Sequence, residues 1–229
     1  MHVHAKSSID IKLPADKLKK LPKCNWGVVT TIQHLHKIND VIDQLKTAFV
    51  AGQVLGCNAS ETDSIKAKVD QWLFVGSGEF HPINVAIKTK QSVWLWNPVT
   101  QKLGKLDEKL VEKFEKRKQG ELLKFLHAKR VGIIVSTKIG QKNLARAFEL
   151  AKNNDKEYFV FACDTLDMAE FENFPFIDFW VNTACPRIAD EKTKMVNIDD
   201  LIDAGILRLE KEKTAYEVPI WMGKMGLKK

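Results

Sequence analysis

The sequence is poor in cysteine and has no long apolar runs. Four cysteines in 229 residues are too few for a disulfide framework, and no two of them form a CxxC pair, which disfavours zinc. No run approaches the roughly 18 apolar residues that span a bilayer, and the first residues lack the apolar core of a signal peptide. We therefore predict a cytoplasmic protein whose cysteines are buried thiols or metal ligands.

Arginine is also scarce. The formal net charge is +7, but only five of the 36 basic residues are arginine. Proteins that read phosphates and bases favour arginine forks, whereas lysine spread over helix faces is usually a solvated surface. This composition disfavours nucleic-acid binding and membrane insertion, and it suits docking to an acidic protein.

What the chain does contain is apolar, β-rich runs that alternate with helical patterns. This order indicates an α/β fold with two similar parallel-sheet lobes, which we place at residues 1–112 and 113–229. The predicted strands are Trp26–Ile32, Gln53–Gly56, Trp72–Val75, Val93–Trp96, Val131–Val135, Tyr158–Ala162 and Phe179–Thr183. The predicted helices are Leu35–Phe49, Ile83–Ile87, Asp107–Ala128, Lys142–Ala151 and Leu166–Phe171. The third of these, whose apolar stripe is broken near Gly120, bridges the lobes.

Cys57 and Cys185 each follow a short apolar run. The carboxyl ends of parallel strands line the crevice where open α/β sheets bind ligands, so these two thiols could share one metal site. Cys163 also ends such a run and is an alternative ligand, although a lone thiol there is more often a buried apolar residue. Cys24 precedes its strand and lies at the opposite end of the sheet.

Polar and glycine-rich segments follow the same strands and are candidates for cofactor binding. In the second lobe a glycine allows a tight turn, and a lysine could meet a carboxylate. His34 and His36 diverge on a helix and are more simply surface or packing residues. The candidate cofactor-binding residues are Thr31, Gln33, Gly76, Ser77, Gly78, His81, Ser136, Lys138 and Gly140.

Five segments together resemble one known family. They are VVTTIQHLHKI (28–38), GQVLGCNAS (52–60), LFVGSGEFHP (73–82), GIIVSTKIGQKN (132–143) and WVNTACPRI (180–188). In this order they are similar to the signature segments of the archaeal 2-(3-amino-3-carboxypropyl)histidine synthase family, which performs the first step of diphthamide synthesis. The resemblance extends to about residue 190.

This resemblance implies three α/β domains that each give one cysteine to a [4Fe–4S] cluster. S-adenosylmethionine binds the open iron and yields a 3-amino-3-carboxypropyl radical, which adds to a histidine of translation elongation factor 2. Cys57 matches the ligand of the middle domain and Cys185 that of the last. The first domain's cysteine has no match, so we expect a split synthase in which a separate chain supplies that domain. Residues 1–4 are then a remnant of its last strand, and the alternative is a short disordered N-terminal arm.

Three other functions remain open at this stage. The chain could be a supporting subunit without catalytic activity, because eukaryotic members of the family work as heterodimers. It could be another iron–sulfur enzyme of quinolinate-synthase-like architecture, whose three α/β domains also contribute one cysteine each. The plainest alternative is an α/β ligand-binding module with no cluster.

Overall fold

The computed structural model describes residues 6–54, 59–153, 155–190 and 194–208. Within these ranges the chain forms two α/β lobes, each built on a mainly parallel sheet. This confirms the predicted fold class. None of the helices in the described ranges has the length and apolar character needed to cross a membrane.

The first lobe contains a five-stranded sheet of order β2-β1-β3-β4-β5, in which only the β4–β5 pair is antiparallel. Trp26–Thr30 at its centre is buried along its whole length, as expected for a parallel strand covered on both faces. The elements of this lobe are α1 (Ala15–Leu18), β1 (Trp26–Thr30), α2 (Ile38–Ile42), β2 (Ala48–Gln53), β3 (Gln71–Val75), α3 (Phe80–Thr89), β4 (Val93–Asn97) and β5 (Lys102–Lys105).

The second lobe repeats this arrangement in an all-parallel sheet of order β7-β6-β8-β9. Its elements are α4 (Glu108–His127), β6 (Arg130–Ser136), α5 (Leu144–Ala151), β7 (Glu157–Cys163), β8 (Phe179–Asn182), β9 (Met195–Asn197) and α6 (Ile198–Asp203). In both lobes the second strand pairs on one side of the first and the third strand on the other. Each sheet therefore has a topological switch point, between β1 and β3 and between β6 and β8.

A glycine–tryptophan pair marks the same place in each lobe. Gly27 faces Trp72 across β1 and β3, and Gly132 faces Trp180 across β6 and β8. The indole fills the space above each glycine so closely that a Cβ atom there would overlap it. This internal repeat at the residue level is not evident from the sequence alone.

Helix α4 belongs to both lobes. Its first half packs Leu110, Val111 and Phe114 against the core of the first lobe, and its second half packs Leu122 and Phe125 against the core of the second. It begins at Asp107, whose side chain accepts a hydrogen bond from the Lys109 amide, a standard N-cap. The predicted helix Asp107–Ala128 is confirmed as one continuous element that passes through Gly120.

The structure also corrects the segment that follows β1. The predicted helix Leu35–Phe49 ends early, with a 3₁₀ turn at Leu35–Lys37 and then α2, and the predicted strand Gln53–Gly56 is in fact β2 at Ala48–Gln53. Backbone pairing of β2 with β1 outweighs the helical spacing of its apolar residues. Four short elements, α1, β5, β9 and α6, were not predicted, since they mix apolar with polar residues over too few positions to show a period.

Candidate functional site

The predicted site residues that the structure describes lie where strands end at the carboxyl edges of the two sheets. In the first lobe the segments after β1 and β3 flank the switch point, and in the second lobe the segments after β6 and β8 do so. This is the edge at which open α/β sheets bind ligands. We treat it as the candidate site and describe its parts in turn.

Cys185 lies three residues beyond the end of β8, in a turn fixed by hydrogen bonds. The buried Thr183 donates from its backbone N–H and its hydroxyl to the carbonyl of Ile134, at 3.1 and 2.7 Å. The Asn143 amide donates to the carbonyl of Thr183 at 2.6 Å. The Cys185 carbonyl accepts hydrogen bonds from the side-chain amide of Asn182 and from the backbone N–H of Ile188. The half-buried Cys185 thiol thus sits on a well-supported turn.

A series of contacts between one cationic side chain and three aromatic rings joins this turn to the first lobe. The Arg187 guanidinium lies over the Phe80 ring, 5.2 Å from its centroid. Phe80 meets His81 edge to face, and His81 stacks on Phe74 with ring centroids 5.8 Å apart. Burial lowers the pKa of His81, and the Arg187 charge lowers it further, so the imidazole favours its neutral form. The structure therefore brings the Cys185 turn and the start of α3 together.

The glycine-rich loop between β3 and α3 adopts the backbone that its sequence requires. Gly76 is buried beneath Phe74, and its N–H donates to the carbonyl of Trp96. Gly78 has φ +78°, a conformation that favours glycine. Ser77 and Gly78 are exposed just before the ten-residue α3, and the amino end of a helix favours an anionic group.

The segment after β1 lines the other side of the switch point in the first lobe. Thr30 is fully buried and donates to the carbonyl of Val75, so it is structural. Thr31 is half-buried and Gln33 is exposed, with the Gln33 carbonyl accepting from the N–H of Ser7. His34 is 8% exposed and its Nδ1 has no hydrogen-bond partner in the described ranges, a feature that its helical spacing did not reveal.

The corresponding segment of the second lobe follows β6. Ser136 is buried, and its hydroxyl accepts from the N–H of Lys138 at 3.1 Å. This bond closes a short turn that leaves Lys138 exposed, and Gly140 takes φ +81°. Thr137 binds the carbonyl of Cys163 and the carboxylate of Asp164 through its hydroxyl. The turn therefore packs beside the end of β7.

The four cysteines have different surroundings. Cys57 lies outside the described residues, which end at Val54 and resume at Ala59. Cys163 ends β7 and packs into the apolar cluster around Trp180, and burial raises the pKa of its thiol. Cys24 lies near the amino ends of the strands, and burial raises its pKa as well. Within the described residues no three His, Cys, Asp or Glu side chains meet as a metal site.

Asn182 is the part of the site that the sequence did not indicate. It is the last residue of β8 and is 1% exposed, and its side chain bonds to the N–H of Ala184 and to the carbonyl of Cys185. An asparagine between an apolar strand and a small polar turn carries no pattern of its own. Only the strand order shows that it faces Asn197 on β9.

These features define a class: a two-lobed parallel α/β protein with a cysteine turn and a glycine loop facing each other across the lobes. Residues 1–194 match the family described as "Putative diphthamide synthesis protein". The chain therefore belongs to the diphthamide synthesis protein family.

Several relatives and solved structures are similar to this chain. The 2-(3-amino-3-carboxypropyl)histidine synthase of Pyrococcus horikoshii is 32% identical over 177 residues, covering 70% of this chain and 50% of the relative. Subunit 1 of the Schizosaccharomyces pombe synthase is 25% identical over 208 residues, or 81% and 45% of the two chains. The crystal structure of Dph2 from Pyrococcus horikoshii with a 4Fe-4S cluster superposes with a TM-score of 0.70 and 28% identity, covering 91% of this chain and 66% of that one.

The chain spans about half the length of the curated relatives that it matches. The family match and the superposition establish the family and the fold of this chain. One of the solved structures is that of Dph2 with a 4Fe-4S cluster.

Proposed function

We propose that this chain takes part in the first step of diphthamide biosynthesis, the transfer of a 3-amino-3-carboxypropyl group from S-adenosylmethionine to a histidine of translation elongation factor 2. The observation that carries this proposal is the approach of the Cys185 turn to the start of α3 through Arg187 and Phe80. This approach supports the proposal because the Cys185 turn, the exposed residues Ser77 and Gly78 and the half-buried His81 lie at one edge.

The donor chemistry fits an iron–sulfur cluster. A cysteine at a strand end, held by backbone bonds and half-buried, is a suitable thiolate ligand. We propose Cys185 and Cys57 as two of the ligands, with the third thiol supplied by a first domain that lies outside this sequence. When bound, the cluster would supply the electron that cleaves S-adenosylmethionine.

The chain's own residues would bind and orient the substrate. The exposed amides at Ser77 and Gly78 could receive the substrate carboxylate, and the neutral His81 imidazole beside them adds no repulsive charge toward a sulfonium. Lys138 could meet the same carboxylate from the second lobe as a point charge. Thr31, Gln33, Ser136 and Gly140 would complete the polar lining.

The target protein would approach the open edge. Elongation factor 2 as acceptor is an expectation from the family, and the net charge of +7 suits an acidic surface on the partner. Two relatives from eukaryotes are named as subunit 1 of the synthase, which supports assembly with another subunit.

The test is anaerobic iron–sulfur reconstitution of the chain, alone and with a candidate first-domain chain, followed by an assay of S-adenosylmethionine cleavage and modification of elongation factor 2. We expect about four irons and modification only in the mixture, as a three-cysteine cluster requires. Cys57→Ser and Cys185→Ser should each abolish iron binding, while Cys24→Ser should not.

Other results would revise the proposal. If the chain alone binds the cluster and Cys163→Ser removes it, Cys163 is the third ligand. If the mixture binds iron through another subunit's cysteines alone, the chain is a supporting subunit. If no mixture binds iron, the chain is a ligand-binding module and the proposed activity is wrong.

A further inference from the structure

The Cys185 turn depends on one buried amide. The Asn182 Nδ2 atom donates to the carbonyl oxygen of Cys185 and to Oδ1 of Asn197, both at 2.8 Å. Its Oδ1 accepts from the N–H of Ala184 at 2.9 Å. With 1% of its surface exposed, Asn182 satisfies its polar atoms through protein groups and not through bulk water.

Two of these three bonds act on Ala184 and Cys185, the residues that set the direction of the thiol. One holds the amide before Cys185 and another holds the carbonyl of Cys185 itself, so the Ala184–Cys185 segment is fixed from both ends. The third bond ties the turn to β9, because Asn197 is the residue paired with Asn182 in the sheet. The position of Cys185 is thereby linked to the rigid part of the sheet.

We propose that Asn182 is a positioning residue that holds the Cys185 turn in the shape needed to present its thiol to an iron–sulfur cluster. This inference rests on the proposed function, since it names a residue that supports the same site. Ligands of metals commonly depend on such outer hydrogen bonds, and loss of one weakens metal binding about tenfold to hundredfold. The Asn182 side chain itself touches neither iron nor substrate in this role.

The donor and acceptor roles of the two asparagines give a matched pair of variants. Asn182→Asp replaces the donating Nδ2 with a carboxylate oxygen that faces the carbonyl of Cys185 and Oδ1 of Asn197, so two attractions become repulsions. Asn197→Asp makes the same isosteric change at the accepting partner and leaves an acceptor for Asn182. The inference therefore predicts damage from the first change and little from the second.

A third variant separates positioning from general strand pairing. Asn197→Leu removes the side-chain hydrogen bond between β8 and β9 but leaves both bonds between Asn182 and the turn. If Asn182 served only to join these strands, Asn197→Leu would do as much damage as Asn182→Asp. If Asn182→Asp does not fold, Asn182→Ser replaces it, since serine is smaller and uncharged.

The first readout needs no cluster. Amide hydrogen exchange of residues 184–188 is measured in the full chain without iron, and Asn182→Asp should speed it about tenfold, because a buried hydrogen bond lost to repulsion opens the turn more often. Asn197→Asp and Asn197→Leu should stay close to the wild-type rate. Equal exchange in all four proteins would overturn the inference.

The second readout is made on the reconstituted complex. Asn182→Asp should lower the retained iron and shift the electron paramagnetic resonance signal of the reduced cluster, while Asn197→Asp should match the wild type. If wild type and Asn182→Asp give the same spectrum and iron content, Asn182 does not position the ligand and the proposed function stands. If wild type binds no iron, the proposed function fails. The inference then fails with it, because Asn182 has no cluster ligand to position. The first readout still decides whether Asn182 holds the turn.

Discussion

At the scale of single residues, the fold constrains the charge of two histidines, the buried His34 and the half-buried His81. Burial lowers the pKa of His34, with the positive charges of His36 and Lys37 acting in the same direction. Burial also lowers the pKa of His81, followed by Arg187. Both imidazoles are therefore favoured in the neutral form, and protonation works against the folded state.

This gives a prediction for the pH dependence of stability. The folded pKa of each histidine lies below its ordinary value of 6.5, so the unfolded chain binds more protons in that range. The stability that depends on neutral His34 and His81 is fully present above about pH 6.5, and it is lost as the pH falls toward their pKa values in the folded state. Urea unfolding at pH 7.5 and 5.5 should show a lower free energy of unfolding at pH 5.5.

The variants His34→Gln and His81→Gln provide the control for that measurement. Each should reduce the difference between the two pH values, and the double variant should reduce it most. A double variant with the wild-type pH dependence would show that other groups are responsible. Carboxylates of lowered pKa, such as Asp63 and Asp178, contribute at more acidic pH and do not explain a change in this window.

The contact of Arg187 with the first lobe leads to a second prediction. Arg187→Ala should raise the pKa of His81, since the guanidinium is one of the two causes that lower it, and the pKa should remain below its ordinary value because burial persists. The measurement is an NMR titration of the imidazole. Arg117→Ala is the matched control, because Arg117 makes the same kind of contact with Phe114 within α4. An unchanged His81 titration in Arg187→Ala would show that the lobes do not meet there.

At the scale of elements, the glycine–tryptophan pairs explain why two strands in each lobe pack closely. Gly132→Ala would place a methyl group inside the Trp180 ring system, and Gly27→Ala would do the same at Trp72. Overpacking of this kind typically costs about 1–3 kcal/mol of unfolding free energy. We expect each variant to lose stability by that amount in chemical denaturation.

The matched control is Gly104→Ala. Gly104 also lies in a strand, β5, but nothing occupies the space that its Cβ would take. Its substitution should leave stability nearly unchanged or raise it slightly, because alanine restricts the unfolded chain. If Gly104→Ala lowers the free energy of unfolding as much as Gly132→Ala does, the loss comes from replacing any glycine in a strand and not from the contact with the indole.

The elements also show what sequence reasoning reached and where it failed. The strands β1, β3, β6 and β8 were predicted because each is mainly apolar along its length, and Cys185 was placed correctly beyond β8. The segment 35–49 was misread because its apolar spacing fits a helix, while pairing with Trp26–Val28 decides the outcome. Asn182 and the contact between Arg187 and Phe80 depend on distant partners, which no local pattern encodes.

At the scale of the whole molecule, α4 is the element that both cores share. Phe114 packs in the first lobe and Phe125 in the second, and the ion pair of Lys118 with the buried Asp200 at 2.6 Å adds a contact to α6. The lobes are therefore joined by a packed helix and not by a loose linker. The stability of one lobe should depend on the integrity of this helix.

Breaking the helix at its middle tests this dependence. Gly120→Pro removes an interior hydrogen bond and clashes with the preceding turn, which costs about 3 kcal/mol or more. We expect a large loss of stability and separate unfolding steps for the two lobes in calorimetry. Gly120→Ala meets no neighbouring atom and should stabilise the helix by about 0.5–1 kcal/mol. A single unchanged transition in Gly120→Pro would show that α4 does not couple the lobes.

The sharing of α4 also fixes which insertions and deletions the chain can accept. One residue added within α4 turns the helix beyond it by about 100° and shifts it by about 1.5 Å, so Phe125 would no longer face its core. The number of residues in α4 therefore cannot change without disturbing one of the two cores. In contrast, the exposed turn at Val99 and Thr100, between β4 and β5, can change length without altering either core.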